Sequence, residues 1–356
     1  MISLATLVVA IAASAVLSAS VRRLPLPAAV PLPDRWHLTV TPVTGGIALF
    51  GAFAAVLVPS FASGAVDRRY LPLVLGAGAA FALGLWDDGK PIGADTKLAA
   101  QVAIALFAAS AGLHPDWLPA WAGIPIACLI LVASMNSFNL LDHMDGLAAG
   151  TAAVAAIGLA LVGGLVPGSG SPVVAAALAG ACLGFLPFNY RPRRPAALFM
   201  GDSGSHMLGF ALGGLALLAS PGGAGGAAAA VAAPLLILAL PLLDTGLVML
   251  VRFAEGRPVW QGGRDHSSHR LVYNGMSERR AVALLLGIAV NCTMAAIALV
   301  ILQDMLLTVV VVGTTLGALI AFASQLVVVK EQAGSELVPG VPADVDPVEV
   351  RDAQVV

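Results

Sequence analysis

Long apolar runs alternate with short polar stretches along this chain, and that alternation predicts its architecture. Five stretches rich in Asp, Asn, Arg and His occupy residues 22–42, 87–97, 139–146, 189–202 and 255–280. Between them lie apolar runs of roughly 17 to 25 residues, each about long enough to cross a hydrocarbon core as a helix. Eleven candidate spans result, at 2–21, 43–60, 71–86, 98–112, 122–139, 147–163, 173–188, 203–220, 229–254, 281–302 and 305–329, with ten as the alternative count. The expected fold is an all-α polytopic membrane protein. Counting spans puts all five polar stretches on one membrane face, an arrangement that can assemble an active site at a bilayer surface.

Composition agrees. Hydrophobic residues make up 59% of the 356 residues and charged residues 11%, with a mean hydropathy of +0.93, whereas a soluble domain carries about 25% charged residues. Lys and Arg favour the cytoplasmic side of short loops. The polar stretches and their flanks hold Arg22, Arg23, Arg35, Lys90, Lys97, Arg191, Arg193, Arg194, Arg252, Arg257, Arg264, Arg270, Arg279 and Arg280, while the opposite loops hold only Arg68 and Arg69. The motif face and the C-terminus are therefore expected in the cytoplasm and the N-terminus outside. The first run has no basic residues before it and Arg22 and Arg23 after it, so it reads as a retained span rather than a cleaved signal peptide. Residues 1–330 read as one integral-membrane domain. Residues 331–356, with Glu331, Glu336, Asp344, Asp346, Glu349 and Asp352 among three prolines, read as a disordered acidic cytoplasmic tail. Cys128, Cys182 and Cys292 lie in apolar runs without metal-ligand spacing and read as small buried hydrophobes.

The polar stretches carry the candidate chemistry. Asp87 and Asp88 are adjacent acids at the end of an apolar run, and two carboxylates beside hydrocarbon call for a cation such as a divalent metal bound to phosphates. Lys97 and Gln101 follow. Asn139, Asp142 and Asp145 recur every three residues, which on a helix keeps them within about a third of the circumference; helix-end capping is the plainer reading. At Gly201-Asp202-Ser203-Gly204, glycine-flanked amides at a helix start suit an anion, although an Asp/Ser cap would look the same. Asn189 and a run of arginines precede it. His266 and His269 stand among arginines in a loop of about 25 residues, where imidazole can donate to phosphate oxygens. Asp244 lies inside an apolar run, where an ionisable group marks either a site or a bond to a neighbouring helix.

Together these residues resemble the polyprenyl-phosphate N-acetylhexosamine-1-phosphate transferase family, over about residues 33–280. Thr41-Pro42 with Gly45-Gly46 matches its threonine-proline-glycine-glycine loop, preceded by the basic pair Arg35 and His37. Gly84 to Gln101 matches its double-aspartate motif, Asn136 to Gly146 its Asn-x-x-Asn-x-x-Asp-x-x-Asp-Gly segment, and Phe199 to Ser205 its Phe-Met-Gly-Asp-Ser-Gly-Ser segment. Leu243-Asp244-Thr245 and the histidine loop also fit. The resemblance implies attack of a polyprenyl-phosphate oxygen on the β-phosphorus of a UDP-sugar, releasing UMP, as the first membrane step of cell-envelope glycan synthesis. It implies Mg²⁺, with Mn²⁺ as a substitute, held by Asp202 with Asp87 and Asp88. Asp87, Asp88, Asp202, His266 and His269 would be catalytic, with Asp87 a candidate base. Asn139, Asp142, Asp145, Asn189 and Phe199 would face the nucleotide, Lys97, His266, His269 and Arg270 would contact phosphates, and His37 would also bind substrate. The implied partners are a UDP-sugar, undecaprenyl or decaprenyl phosphate and the lipid bilayer, with no nucleic acid; a homodimer is compatible. The implied location is the bacterial inner membrane.

The chain departs from the family pattern in three places, one of them the spacing of Asn189, which lies three residues farther from Asp202 than usual. The loop's usual His-x-His-His reads His266-Ser267-Ser268-His269, so Ser268 replaces the middle histidine and, lacking a charge, is expected to matter little. His143 replaces a common glycine between the two acids. N-acetylglucosamine is the preferred sugar because an eleventh span and an inside C-terminus suit that branch better than the muramoyl-pentapeptide branch. The rival from another class is a secondary transporter, which calls for polar groups near the bilayer midplane, whereas these acids gather at one face. An intramembrane aspartyl protease or a CDP-alcohol phosphotransferase would need motif residues that the stretches around Asp202 and Asp145 lack.

Overall fold

The computed structural model describes residues 2–24, 28–29, 39–165, 171–191, 194–219, 226–258, 263–302 and 304–327. The expected acidic tail, Arg35 and His37 lie outside the described residues. Helices dominate: α1 (Ile2–Val21), α2 (Gly45–Ala62), α3 (Leu71–Gly89), α4 (Ala94–Ser110), α5 (Ala120–Leu141), α6 (Leu147–Gly164), α7 (Ser171–Asn189), α8 (Gly201–Leu218), α9 (Gly226–Ile237), α10 (Ala239–Ala254), α11 (Ser267–Tyr273), α12 (Glu278–Leu302) and α13 (Met305–Val327). A two-residue antiparallel pair sets Ala28 opposite Pro42 and Ala29 opposite Thr41.

The chain is a multi-pass membrane protein. Among the described residues, eight helices are long and apolar enough to cross a bilayer, or nine if the bent pair formed by α9 and α10 counts as one. The helices α4, of 17 residues, and α8, with its polar first turn, fall outside that set. Aromatic anchors mark both ends: Trp121 at the start of α5 and Trp86 at the end of α3 are exposed, as expected for indoles at a membrane interface.

Helix packing relies on small residues, because in lipid the gain comes from close van der Waals approach rather than from expelling water. A side chain at Gly180 or Gly184 of α7 would run into the α1 backbone at Leu7 and Ile11. At the centre stands α8, buried from Ser203 to Leu217 against α3, α5 and α2. Its first turn carries Asp202, so the most enclosed helix of the bundle presents the motif acid at its polar end. By contrast, only Thr308, Leu319 and Leu326 of α13 are buried.

Three local expectations are corrected. The ninth apolar run is not one helix: α9 and α10 meet at a bend of 72°. Pro241 lacks the N–H that would bond to the Ile237 carbonyl, and its ring crowds that carbonyl, so the helix breaks at Leu238. The polar triplet does not form a helical stripe either. Helix α5 ends at Leu141, Asp142 is its cap, and Asp145 lies in the turn that Gly146 closes at φ +80°. Finally, the histidine loop contains a two-turn helix, α11, with His266 at its N-terminus.

Candidate active site

Four separate stretches meet at the polar end of α8. Lys97 in the first turn of α4 places its ammonium between Asp87 Oδ2, at 2.7 Å, and Asp202 Oδ2. Asp87 is held by the Ile92 N–H on its other oxygen at 2.8 Å. Asp202 Oδ1 accepts the Asn139 amide at 2.8 Å, and that amide also lies 3.1 Å from Ser205 Oγ. Behind Asn139, the fully buried Gln101 pairs with Asn136, whose Nδ2 donates to Gln101 Oε1 at 2.7 Å.

Asp88 does something different. Its two oxygens accept the N–H groups of Asp202 at 2.7 Å and Ser203 at 3.0 Å. The anion expected at this helix start is therefore a carboxylate from α3, which satisfies amides left without intrahelical partners. This requires the helices to touch: a Cβ on Gly84 would overlap the Asp202 and Ser203 backbone, and one on Gly201, at φ +70°, would strike Asp88. The glycine loop after Thr41-Pro42 closes the same corner, with the Gly45 and Gly46 N–H groups donating to the Phe199 and Met200 carbonyls at 2.9 and 2.8 Å. His206, which sequence reasoning missed, donates from Nδ1 to the Asp202 carbonyl at 2.6 Å and is fully buried.

These residues fit a hard divalent cation. Asp87 and Asp202 turn carboxylate oxygens toward one ammonium while remaining partly open to solvent, at 11% and 30% side-chain exposure, and oxygen donors of this kind suit Mg²⁺. Asp88, with both oxygens on backbone amides, acts first as the α8 cap.

A second cluster forms where α10 meets the histidine loop. Asp244, 1% exposed, accepts His266 Nδ1 at 2.8 Å, the Ser267 N–H at 2.7 Å and the Ser267 hydroxyl at 2.5 Å. Its intramembrane position is thus explained by the loop it anchors, and it leaves the His266 Nε2 edge facing away from the carboxylate. His143 stacks on His266, with ring centroids 4.1 Å apart, and lies 4.6 Å from His269. Its Nε2 lies against Ser268 Oγ and its Nδ1 donates to the Leu140 carbonyl at 2.7 Å. Ser268 is therefore a partner of His143, not the idle spacer expected. Ligand atoms of His143, Asp244 and His266 come within 4.8 Å of one another, close enough for a metal, although Asp244 already satisfies three donors. Burial, reinforced by the neighbouring His266, pushes His143 down to about 3. Burial and the nearby His143 also hold His269 well below the ordinary imidazole range.

The α5–α6 turn joins the two clusters. Asn139 reaches Asp202, and His143 reaches the loop. Burial, with the charges of Asp202, Asp145 and Asp88, pushes the Asp142 carboxyl well above the usual carboxylate range. Burial also pushes Asp145 up to about 6, against the lowering effect of the Ala196 N–H that it accepts at 3.2 Å.

Two expected substrate residues serve as ties in this structure. Asn189 is buried, accepting the Gly146 N–H at 2.8 Å and donating to the Leu198 carbonyl at 3.2 Å. It fixes the segment that delivers Phe199. Arg270 is also buried, and its guanidinium donates to the Asp265 and Leu326 carbonyls at 2.8 and 2.9 Å, joining the loop to α13. Asp265 in turn takes a bidentate pair from Arg252 at 2.9 and 2.8 Å.

Residues 70–220 match the model of glycosyl transferase family 4. The chain is also 32% identical over 284 residues to the decaprenyl-phosphate N-acetylglucosaminephosphotransferase of Mycobacterium tuberculosis (strain CDC 1551 / Oshkosh), covering 70% of each chain. The chain belongs to glycosyl transferase family 4. Other relatives in this family include the probable undecaprenyl-phosphate N-acetylglucosaminyl 1-phosphate transferase of Bacillus subtilis (strain 168), 29% identical over 277 residues and 74% of each chain. A phospho-N-acetylmuramoyl-pentapeptide-transferase of Desulforudis audaxviator (strain MP104C) is 36% identical over 213 residues, 51% of this chain and 63% of its own. The family match runs from the turn before α3 to just beyond α8. It takes in the whole acid cluster, while Asp244 and the histidine loop lie beyond it.

Proposed function

We propose that this membrane transferase moves a sugar-1-phosphate, with N-acetylglucosamine preferred, from a UDP-sugar to a polyprenyl phosphate at the cytoplasmic face of a bacterial inner membrane, releasing UMP. The observation that carries this reading is the meeting of Asp87, Lys97, Asn139 and Asp202 at the polar end of α8. A soluble nucleotide can reach that end from water, and a lipid phosphate can reach it from the bilayer surface. Names of relatives covering about 70% of the chain support the acceptor and the sugar. The eleven-span topology, with the N-terminus outside, belongs to the same proposal.

In the reaction a polyprenyl-phosphate oxygen bonds to the sugar-bearing β-phosphorus, while the bond from that phosphorus to the bridging oxygen breaks and its electron pair leaves with UMP. Such transfers are accelerated mainly by positioning and by stabilising charge on the phosphoryl oxygens. Lys97 supplies a fixed positive charge between the two acids. Asn139 and Lys97 hold the Asp202 carboxylate in one orientation, and Asp88 fixes the backbone that carries it. In this reading Asp87 receives the proton of a monoprotonated lipid phosphate. Asp142 and Asp145 border the nucleotide side with Phe199, and His266 and His269 face the diphosphate. Asp202 and Asp87 would hold Mg²⁺ where the Lys97 ammonium now bridges them, and the ion would supply neutralisation of phosphate charge.

A second reading, phospho-N-acetylmuramoyl-pentapeptide transfer, draws on the shorter match to the Desulforudis relative. One assay separates the two. Purified protein in detergent is given undecaprenyl phosphate, Mg²⁺ and a panel of UDP-sugars, and UMP release is followed. Turnover with UDP-N-acetylglucosamine and none with UDP-N-acetylmuramoyl-pentapeptide is expected. UMP release with no donor in the panel would overturn the transferase reading.

A further inference from the structure

We propose that His143 completes, with His266 and His269, a three-imidazole cradle for the donor diphosphate, supplying from the α5–α6 turn the ring that Ser268 leaves out of the loop. This rests on the transferase reading and deepens it by adding a residue to the site.

Position carries the argument. His143 is separated from Ser268 by 125 residues, yet its Nε2 meets the Ser268 hydroxyl. Its ring is stacked on His266 at 4.1 Å and tilted against His269 at 4.6 Å, while His266 and His269 are 5.6 Å apart. It therefore stands between the two loop histidines, in the place a longer side chain at 268 would enter. Two of the departures from the family pattern meet at this point. A histidine appears where glycine is common, and a serine appears where histidine is common.

An ordinary packing role accounts poorly for the arrangement. Three imidazoles gathered in one largely buried place must each desolvate polar ring nitrogens, and an aliphatic side chain would fill the space without that cost. Each ring is held by a polar partner or a ring neighbour: His143 Nδ1 by the Leu140 carbonyl, His266 Nδ1 by Asp244. Held in this way, His143 and His266 turn their Nε2 edges to the cluster. An arriving diphosphate would let those edges carry protons and donate to its oxygens, with the Ser268 hydroxyl giving up His143 Nε2 and offering its own O–H to the anion. A metal ion is the competing occupant of His143, Asp244 and His266. It is disfavoured because Asp244 already takes His266 and two donors from Ser267, which a metal would have to displace.

The test moves the ring. His143→Gly, Ser268→His and the double variant are purified in detergent, checked for unchanged melting temperature, and assayed for UMP release from the best donor with undecaprenyl phosphate. Loss of one positioned donor to transition-state charge should lower kcat of His143→Gly by about 100-fold with little change in KM. Ser268→His alone should also be impaired, because two rings compete for one place. The double variant, with the ring restored from the loop, should recover to within about tenfold of wild type, far above the product of the single effects. Near-wild-type turnover of His143→Gly, or a double variant no better than the singles predict, would overturn the cradle while leaving the transferase reading intact. Zn²⁺ dependence that vanishes only in the His143 variants would replace the diphosphate with a metal. If wild type itself releases no UMP from any donor, the transferase reading fails, and the cradle fails with it.

Discussion

Replacing Asp244 with Asn tests whether an acid inside the bundle sets the chemistry of the histidine loop. Asp244 receives three donors: His266 Nδ1 at 2.8 Å, the Ser267 N–H at 2.7 Å and the Ser267 hydroxyl at 2.5 Å. Asn keeps the size and one acceptor oxygen, so the two Ser267 bonds can persist. The group turned toward His266 becomes an N–H₂ donor. His266 then loses its anionic partner and can keep a bond at Nδ1 only by turning that nitrogen into an acceptor. A hydrogen bond to a charged group is worth about 1.5–3 kcal/mol, and in a serine–histidine–aspartate triad the same Asp-to-Asn change lowers turnover by about 10⁴-fold. Because His266 here contacts a diphosphate rather than shuttling a nucleophile's proton, a fall of about 10²–10³-fold in kcat, or about 3–4 kcal/mol, is expected. KM for the UDP-sugar should change little, and melting in detergent should shift by only a few degrees. Steady-state UMP release with both substrates varied, alongside a thermal melt, reads all three. A folded variant that keeps more than half of wild-type kcat would show that Asp244 only anchors Ser267.

The remaining predictions address the acid cluster, the topology and pH. Asp202→Asn keeps the contact with Asn139 but removes a hard anionic ligand, so turnover should fall by orders of magnitude while folding survives, and excess chelator should silence the wild type; full activity in either case would exclude a metal on Asp202. Gly84→Ala puts a methyl group into the Asp202 and Ser203 backbone, so α3 must move away from α8, and a melting temperature equal to wild type would contradict the packing. Cysteines introduced at Gly89 and Gly263 should react only with reagents that enter the cytoplasm, and labelling by an impermeant external reagent would reverse the topology. Asp145, pushed up to about 6 by burial, favours folding when protonated. Its contribution is full below about pH 4, its unfolded value, and is lost as pH rises through about 6. Asp145→Asn should therefore melt higher than wild type above pH 6 and match it near pH 4; a constant difference across that range would assign Asp145 no such linkage.

The apolar runs alone determined that this chain lives in a membrane as a helical bundle, because about 17 to 25 uncharged residues have few other stable solutions. The order of the polar stretches led to the expectation that Asp87, Lys97, Asn139 and Asp202 share a membrane face, since span parity carries that information without any contact. What the tertiary structure decided is the work each polar atom does. Asp87 and Asp88 are chemically identical neighbours, yet one meets Lys97 and the other caps α8, a difference set by their directions on α3 relative to a helix that begins more than a hundred residues later. Asn189 and Arg270 read as substrate contacts from their motifs, and the structure adds that both bond to the protein's own backbone. Asp244 gave only the general signal of an acid in an apolar run. The break at Leu238 and the fold of the loop supplied its partners. His143 and Ser268 looked like two unrelated departures, because pairing between residues this far apart leaves no local periodicity or spacing to read. Packing alone brings them into contact.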